Sequence, residues 1–301
     1  MSKIMKLKFL GVRGSRPTHK RSLLGYGGNS TCLEFHCVGE KFHLFLDGGS
    51  GLARRGHELG ESPTHRNFHF LVTHTHWDHI LGYPFFKPIY DKRNLLVFYA
   101  SNTTRSTFND LFFGLQRSAN LPVPRHQLKA RLAFEKVAPD TEFTIEGKVK
   151  VKTFQLNHQG VTLAYKVQYG DCSACIITDN APIQGNYLGE GMPARAAQDP
   201  LAFEREFEAG LVAFLKGVHT VVFDSHFTEE TLKADWGHST PQRALAFCRL
   251  AGVRRLVLFH HAPEDMDEQV DNKLQSVFHD ACHSGIEVEA AREGEEWDLC
   301  G

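Results

Sequence analysis

Short runs of apolar, β-branched and aromatic residues recur along this 301-residue chain, and several of them end at a polar residue followed by a turn. Runs of this length and composition predict β-strands. The polar residues at these strand ends are Asp47, His74, His158, Asp179, Asp224 and His260. Helical patterns cover 201–217, 240–251 and 264–284. Strands that alternate with helices indicate an α/β architecture, and such sheets carry their sites at the carboxyl ends of strands.

The domain organisation follows from the same pattern. The first 50 residues look all-β, whereas residues 101–131 break the rhythm with an amphipathic helical pattern that leads into a basic, proline-containing stretch. We find no linker, repeat or low-complexity tract. The sequence therefore predicts one domain over residues 1–301, with a helical or loop insertion near 101–135.

Composition narrows the class of protein. Hydrophobic residues make up 42% of the chain and charged residues 23%, which is typical of a globular protein, and a net charge of −1 gives no field that would draw nucleic acid or a membrane. No stretch resembles a signal peptide or a membrane span, so we expect a cytoplasmic protein without a membrane partner. Seven scattered cysteines predict free thiols in a reducing compartment. The Cys172 and Cys175 pair is interpreted as core packing.

The stretch FLVTHTHWDHI, residues 70–80, concentrates metal-binding side chains. In an extended segment His74 and His76 point the same way and can bind one ion together. Asp78 and His79 follow where the chain turns, and can reach a second ion. Imidazole and carboxylate are the usual ligands of Zn²⁺ and other divalent transition metals. A lone HxH pair is weak evidence, but HxHxDH followed by further His and Asp at later strand ends is much stronger.

This pattern resembles the metallo-β-lactamase-fold metallohydrolases over essentially the whole chain, and Asp47-Gly-Gly-Ser-Gly resembles an early turn of that family. The resemblance implies a four-layer αβ/βα sandwich with a binuclear metal site at its edge. It implies one ion on His74, His76 and His158, a second on Asp78, His79 and His260, and Asp179 between them. Zinc is favoured, with manganese or iron as alternatives. His260 is preferred to its neighbour His261 because it directly follows the strand RRLVLF.

The stretch WGHST, residues 236–240, resembles the histidine motif of the phosphodiesterase branch, which includes tRNA 3′-end-processing nucleases and cyclic-phosphate phosphodiesterases. The resemblance implies that His238 faces the metals and is held by Asp224. His226 is expected beside the site or on the surface. In such a site a hydroxide between two metals attacks phosphorus, Asp78 can orient it, and His238 protonates the leaving alkoxide.

The sequence indicates the substrate less clearly than the metal site. The patterns GVRGSRP…YGGNSTC and LVLFHHAPED resemble a bacterial subgroup of cyclic-nucleotide-type phosphodiesterases, and GYPFFKP (82–88) is either an apolar wall for a base or a buried turn. Residues 117–131 are basic and could bind a phosphate backbone, although a solvated loop is favoured. We expect a small or cyclic phosphodiester rather than RNA. An RNA-processing nuclease, an acyl or thioester hydrolase at the same metals, a metal-bound sensor and a homodimer stay open.

Overall fold

Two seven-stranded mixed β-sheets form the centre of the computed structural model, which describes residues 3–23, 25–60, 66–102, 107–115, 125–184, 186–190, 196 and 198–300. The first sheet contains β1 (Met5–Gly11), β2 (Cys32–Cys37), β3 (Phe42–Leu46), β4 (Asn67–Leu71), β5 (Leu95–Ala100), β6 (Arg131–Lys136) and β14 (Glu296–Asp298). The second contains β7 (Glu142–Ile145), β8 (Val149–Gln155), β9 (Leu163–Tyr169), β10 (Cys172–Ile177), β11 (Thr220–Asp224), β12 (Arg255–Phe259) and β13 (Glu287–Ala290).

The two sheets share one plan. The first has the order β14-β1-β2-β3-β4-β5-β6, with antiparallel pairing up to β3 and parallel pairing from β3 to β6. The second runs β13-β12-β11-β10-β9-β8-β7, parallel from β13 to β10 and antiparallel beyond. In the parallel halves, the carboxyl ends of neighbouring strands lie together, so polar residues that follow them are gathered at one edge of each sheet.

Helices cover the outer face of each sheet. They are α1 (Gly51–Gly60), α2 (Trp77–Ile80), α3 (Phe108–Leu115), α4 (Pro200–Leu215), α5 (Pro241–Ala251) and α6 (Asp267–His283). Side chains of α1 and α3 pack on the first sheet, and side chains of α4, α5 and α6 pack on the second. The result is the predicted four-layer αβ/βα sandwich, and the three predicted C-terminal helices are confirmed as α4, α5 and α6.

A third apolar layer fills the space between the sheets. Leu7, Phe35 and Leu44 of the first sheet face Tyr165 and Ile176 of the second, and all five are fully or almost fully buried. Burial of one such side chain contributes about 1.5–3 kcal/mol relative to leaving it exposed. The two sheets are therefore held rigidly together, and the residues at their shared edge keep a fixed relative position.

Local sequence signals set the start and end of α5, which follows the WGHST stretch. Thr240 precedes the helix and its side chain accepts a hydrogen bond from the backbone N–H of Arg243, while Pro241 occupies the first helical position. Gly252 ends the helix in a left-handed conformation, with φ 69°. This capping fixes the loop that carries His238 against the second sheet.

The expectation of free thiols is wrong for two of the cysteines. Cys172, at the start of β10, is joined by a disulfide to Cys300, which follows β14. The two residues are 128 positions apart in sequence, so spacing gives no hint that the two sheets bring these chain segments together. Cys175 is a buried free thiol, as the core-packing interpretation predicts, and Cys172 is buried in the layer between the sheets.

Two further expectations concern the insertion and the membrane. Helix α3 lies within the predicted insertion near 101–135, and β6 begins in it and pairs with β5 of the first sheet, while residues 103–106 and 116–124 fall outside the described part of the chain. No helix within the described ranges is long and apolar enough to cross a membrane.

Candidate metal centre

The stretch that follows β4 delivers four polar side chains to one place. The strand ends at Leu71, and a short irregular segment carries His74 and His76 before the single turn of α2 begins at Trp77. Asp78 and His79 lie in that turn and are buried. The switch from extended chain to helix changes the direction of the side chains, so the four residues face two adjacent positions rather than one.

His74, His76 and His158 form the first group of donors. Their ligand atoms lie within 4.8 Å of one another, and His158 Nε2 is 3.1 Å from His76 Nδ1. Burial lowers the pKa of His158 to about 3, so this ring is neutral. Its Nδ1 lies 2.9 Å from the carbonyl oxygen of Gly237, to which it donates. The lone pair of His158 is therefore on Nε2, which faces the other two histidines.

Asp78, His79 and His260 form the second group. Asp78 Oδ2 lies 3.2 Å from His79 Nε2 and 3.3 Å from His260 Nε2. On the far side of the His79 ring, Nδ1 lies 2.7 Å from a carboxylate oxygen of Asp47, the residue that follows β3. Burial alone would lower the pKa of His79, but Asp78, Asp179 and Asp47 outweigh it and raise that pKa well above its ordinary value.

Asp179, which follows β10, lies between the two groups. Its Oδ1 is 3.7 Å from His158 Nε2 and 3.5 Å from His260 Nε2, while its Oδ2 is 3.3 Å from His79 Nε2. Burial would raise the pKa of Asp179, yet the surrounding histidines, His260 and His79 first, hold it well below the usual value. A carboxylate that contacts both groups is positioned to act as a ligand in both.

The donor set fits divalent metal ions. His74 Nε2, His79 Nε2 and Asp179 Oδ2 are buried and have no hydrogen-bond partner among the described residues, which is costly for polar atoms unless another ligand satisfies them. The cluster combines imidazole with carboxylate, the donors that zinc, manganese and iron accept in proteins. A cation would also compensate the three carboxylates that surround His79.

The structure separates His260 from His261. His260 follows β12 with a left-handed backbone, φ 58°, and its ring lies among the donors. A Cβ on Gly14 would lie 2.4 Å from that ring, so a glycine makes room for it. His261 faces away, and its Nε2 lies 3.0 Å from the backbone oxygen of Ala291. Only His260 of this pair therefore lies with the donor cluster.

Asp224, the last residue of β11, holds His238 at the edge of the cluster. His238 Nδ1 lies 3.2 Å from Asp224 Oδ2 and 3.5 Å from Asp179 Oδ1. Backbone N–H groups of Asn180 and Ser239 also donate to Asp224 Oδ2, which fixes the carboxylate. Burial would lower the pKa of His238, but Asp224 and then Asp179 and Asp78 raise it above the ordinary value.

His226 lies beside His238 and is not on the surface, so the surface alternative for this residue is wrong. Its side chain is buried, its ring stacks on that of His238 with centroids 4.4 Å apart, and its backbone N–H donates to Asp224 Oδ1. Burial, with His238 next, lowers the pKa of His226, so a neutral ring supports the His238 ring.

A cavity of about 570 Å³ opens onto the cluster. Its lining residues are Ser15, His76, Trp77, Asp78, His158, Gln159, Asp179, Asp235, Trp236 and His238. Sequence reasoning missed Ser15, whose backbone N–H donates to Asp78 Oδ2 at 2.7 Å. It also assigned no role to Trp77 or Trp236, although Trp77 stands between His76 and Asp78 and Trp236 begins the stretch WGHST.

The sequence profile of a family described as "Beta-lactamase superfamily domain" matches residues 65–261, a range that contains every residue of the two donor groups and His238. The chain belongs to this family. It is a hydrolase of the metallo-β-lactamase fold, and its relatives fit the phosphodiesterase and nuclease branch.

Individual similarities extend over nearly the full chain. Ribonuclease Z of Bradyrhizobium sp. (strain ORS 278) is 24% identical over 306 residues, covering 91% of this chain and 95% of the relative. The structure of the metallo-beta-lactamase fold protein YhfI of Bacillus subtilis matches with a TM-score of 0.66 at 16% identity, over 99% of this chain and 100% of that one. Human tRNase Z, short form, matches with a TM-score of 0.64 at 17% identity, over 98% and 99%.

In this β-lactamase superfamily domain, the stretch 82–88 is a core turn. Tyr83 and Phe86 are buried, and both pack against Phe70 on the outer face of the first sheet. Among the described residues, none of 82–88 lines the cavity at the donor cluster. The alternative of an apolar wall at the site is therefore wrong.

The basic stretch at 117–131 does not contribute described residues to this cavity. Residues 117–124 lie outside the described part of the chain. Lys129 lines a separate cavity of about 470 Å³, together with Arg66 and Lys87 near the amino ends of β4 and β5. That end of the first sheet is opposite to the strand ends that carry the donor cluster.

Proposed function

We propose that this chain hydrolyses a phosphodiester, and that a small or cyclic phosphodiester such as a cyclic nucleotide is its preferred substrate. The observation that carries the proposal is the position of His238. It is held by Asp224, contacts Asp179 of the donor cluster and lines the adjoining cavity. A histidine with a raised pKa beside two groups of metal donors is suited to supply a proton to a leaving alkoxide.

The residues divide into holders of two ions and a proton donor. The ligands of the first ion would be His74, His76 and His158, and those of the second Asp78, His79 and His260, with Asp179 shared. Two divalent ions at these positions would lower the pKa of a water molecule and neutralise charge on a phosphate. Zinc is the favoured metal, with manganese or iron as alternatives.

His238 performs the proton transfer in this proposal. Its Nδ1–H donates to Asp224, so Nε2 is the ring nitrogen left to transfer a proton, and the residue lines the cavity. The three backbone N–H groups that bind Asp224 keep the carboxylate in place, and the stacked His226 ring limits rotation of His238. Asp78, fixed by the N–H of Ser15, is placed to orient the attacking water.

A second candidate is a nuclease that trims RNA precursors. It is favoured by the relatives of the chain, since proteins called Ribonuclease Z from Bradyrhizobium and from Halalkalibacterium halodurans are 24% and 25% identical and match 91% and 70% of this chain. The two candidates share the donor cluster and His238, so only the size and form of the substrate separate them.

The test compares two diesters that differ in the leaving group. A p-nitrophenolate leaves without a proton, whereas the ribose oxygen of a cyclic nucleotide needs one. Metal-loaded wild type should cleave bis-p-nitrophenyl phosphate and a cyclic nucleotide. We expect His238→Ala to lower kcat on the cyclic nucleotide by about 100-fold or more, and to affect bis-p-nitrophenyl phosphate much less. His36→Ala, an exposed histidine on β2, is the matched control.

Three other outcomes are decisive. Equal losses on both diesters would mean that His238 does not act as the proton donor. Cleavage of a tRNA precursor without cleavage of either small diester would favour the second candidate. A protein that carries both metals and cleaves no phosphodiester would refute the proposal and favour an acyl substrate or a binding role.

A further inference from the structure

Two exposed tryptophans line the cavity at the donor cluster. Trp77 is 62% exposed and Trp236 is 55% exposed, while the rest of the cavity lining is polar: serine, glutamine, histidine and aspartate side chains. A large apolar ring left in contact with water gains no burial energy from the fold. Two of them at the opening of a polar site point to a ligand that covers them.

Both tryptophans belong to chain segments that line the same cavity. Trp77 is the first residue of α2 and stands between His76 and Asp78. Trp236 ends a short 3₁₀ helix and precedes Gly237. His76 Nδ1 lies 3.1 Å from His158 Nε2, and His158 Nδ1 lies 2.9 Å from the Gly237 oxygen. His158 therefore contacts both His76, which precedes Trp77, and Gly237, which follows Trp236.

Neighbouring side chains hold the Trp236 ring in place. Lys233 Nζ lies 4.2 Å from the ring centroid, a cation–π contact that covers one face. The Phe227 ring meets Trp236 in an edge-on arrangement with centroids 6.4 Å apart. These contacts leave much of the ring accessible, since the Trp236 side chain is still 55% exposed.

We infer that Trp77 and Trp236 stack on a nucleobase, so that the substrate is a nucleotide diester rather than a simple alkyl or sugar phosphodiester. This inference rests on the proposed function and names its substrate class. Bases stack on indole rings without needing a particular sequence, because every base presents a π-face. The 570 Å³ cavity lies in the size range of sites for small organic ligands. The phosphate would then lie at the donor cluster, and the base at the rim.

The kinetic test uses two esters with the same leaving group. Thymidine 5′-(p-nitrophenyl phosphate) carries a base, whereas methyl p-nitrophenyl phosphate has a methyl group in its place. The ratio of their kcat/KM values measures what the nucleoside contributes. We expect a ratio above one in wild type that falls about tenfold in Trp77→Leu and in Trp236→Leu. Phenylalanine at either position should retain most of the ratio, because it keeps a π-face. Leu250→Ala, at an exposed leucine of α5, is the surface control.

A binding measurement separates failure of this inference from failure of the proposed function. Calorimetry with adenosine 5′-monophosphate and ribose 5-phosphate, which lacks the base, needs no turnover. We expect tighter binding of the nucleotide in wild type and a loss of that preference in both leucine variants. Equal affinities in wild type, or a preference that survives both leucine variants, would overturn the inference whether or not the protein cleaves diesters. A preference for the nucleotide without any hydrolysis would refute only the proposed reaction.

Discussion

Replacement of Asp47 by asparagine should weaken the binding of one metal ion while the fold stays intact. Asp47 is fully buried and accepts three hydrogen bonds, from the N–H and the hydroxyl of Thr73, both at 2.8 Å, and from His79 Nδ1 at 2.7 Å. Its backbone is left-handed, with φ 58°, a conformation that asparagine tolerates better than most residues. The substitution therefore changes the hydrogen bonds and leaves the chain path unchanged.

Asparagine cannot satisfy both neighbours. If its oxygen accepts from the Thr73 N–H, its NH₂ faces His79 Nδ1, and the His79 proton moves to Nε2, where it blocks the lone pair that faces Asp78 and Asp179. If the amide turns over, the buried Thr73 N–H loses its acceptor at a cost of about 1–3 kcal/mol. Loss of such a supporting partner typically weakens metal binding 10–100-fold, which is roughly 1.4–2.8 kcal/mol.

The assay is competition with a chromogenic chelator, which gives the affinity of each ion. We expect one ion of Asp47→Asn to bind about 100-fold more weakly, with the other close to wild type. The control is Glu34→Gln, a second buried carboxylate that contacts a histidine, His43 Nδ1 at 2.9 Å, outside the donor cluster. This control should bind both ions as wild type does. If Asp47→Asn also binds both ions with wild-type affinity, the argument from the tautomer of His79 is wrong.

Three further predictions concern Gly237, the pair His260 and His261, and the buried carboxylate of Glu34. A Cβ on Gly237, where φ is +89°, would lie 1.9 Å from His158 Nδ1, so Gly237→Ala should lose the first ion. The chelator titration would show this loss, and a full metal content would contradict the prediction. His260→Ala should lose the second ion, whereas His261→Ala should keep both and show a lower Tm; the reverse result would exchange their roles. Burial alone would raise the pKa of Glu34, but contacts with a histidine and an arginine lower it from 4.5 to about 2. Wild type should therefore have a free energy of unfolding about 3 kcal/mol higher than that of Glu34→Gln at neutral pH. This difference should disappear as the pH falls from about 4.5 to 2. Urea titrations at several pH values measure it, and a difference that stays constant with pH would refute the prediction.

The sequence could predict the order of the elements and the identity of the donors, because both depend on local patterns. Apolar runs of strand length end one residue or a few residues before His74, Asp179 and His260, and neighbouring parallel strands gather their ends at one edge. It could not predict the disulfide between Cys172 and Cys300, because that contact joins two sheets over 128 residues.

The direction in which a side chain points at a strand end is a second feature that the sequence could not predict. A pattern of alternating side chains indicates that His260 and His261 point in opposite directions, but not which of them faces the site. The left-handed backbone of His260 decides this, and nothing in the apolar run before it indicates such a conformation. The space for the ring depends on Gly14, nearly 250 positions earlier in the chain.

The chemical state of each donor is also set by a partner far away in sequence. Asp47 directs the proton of His79 to Nδ1, the Gly237 oxygen does the same for His158, and Asp224 does so for His238. For His79 and His158 the nitrogen that remains faces the donor cluster, and for His238 it is the nitrogen left to transfer a proton. The fold thus determines which lone pairs are free to bind a metal and which ring carries a proton, and a chain with the same donors but without these partners would hold the same residues in the wrong tautomers. Substitutions at the partners should therefore change metal affinity and pH dependence before they change the fold.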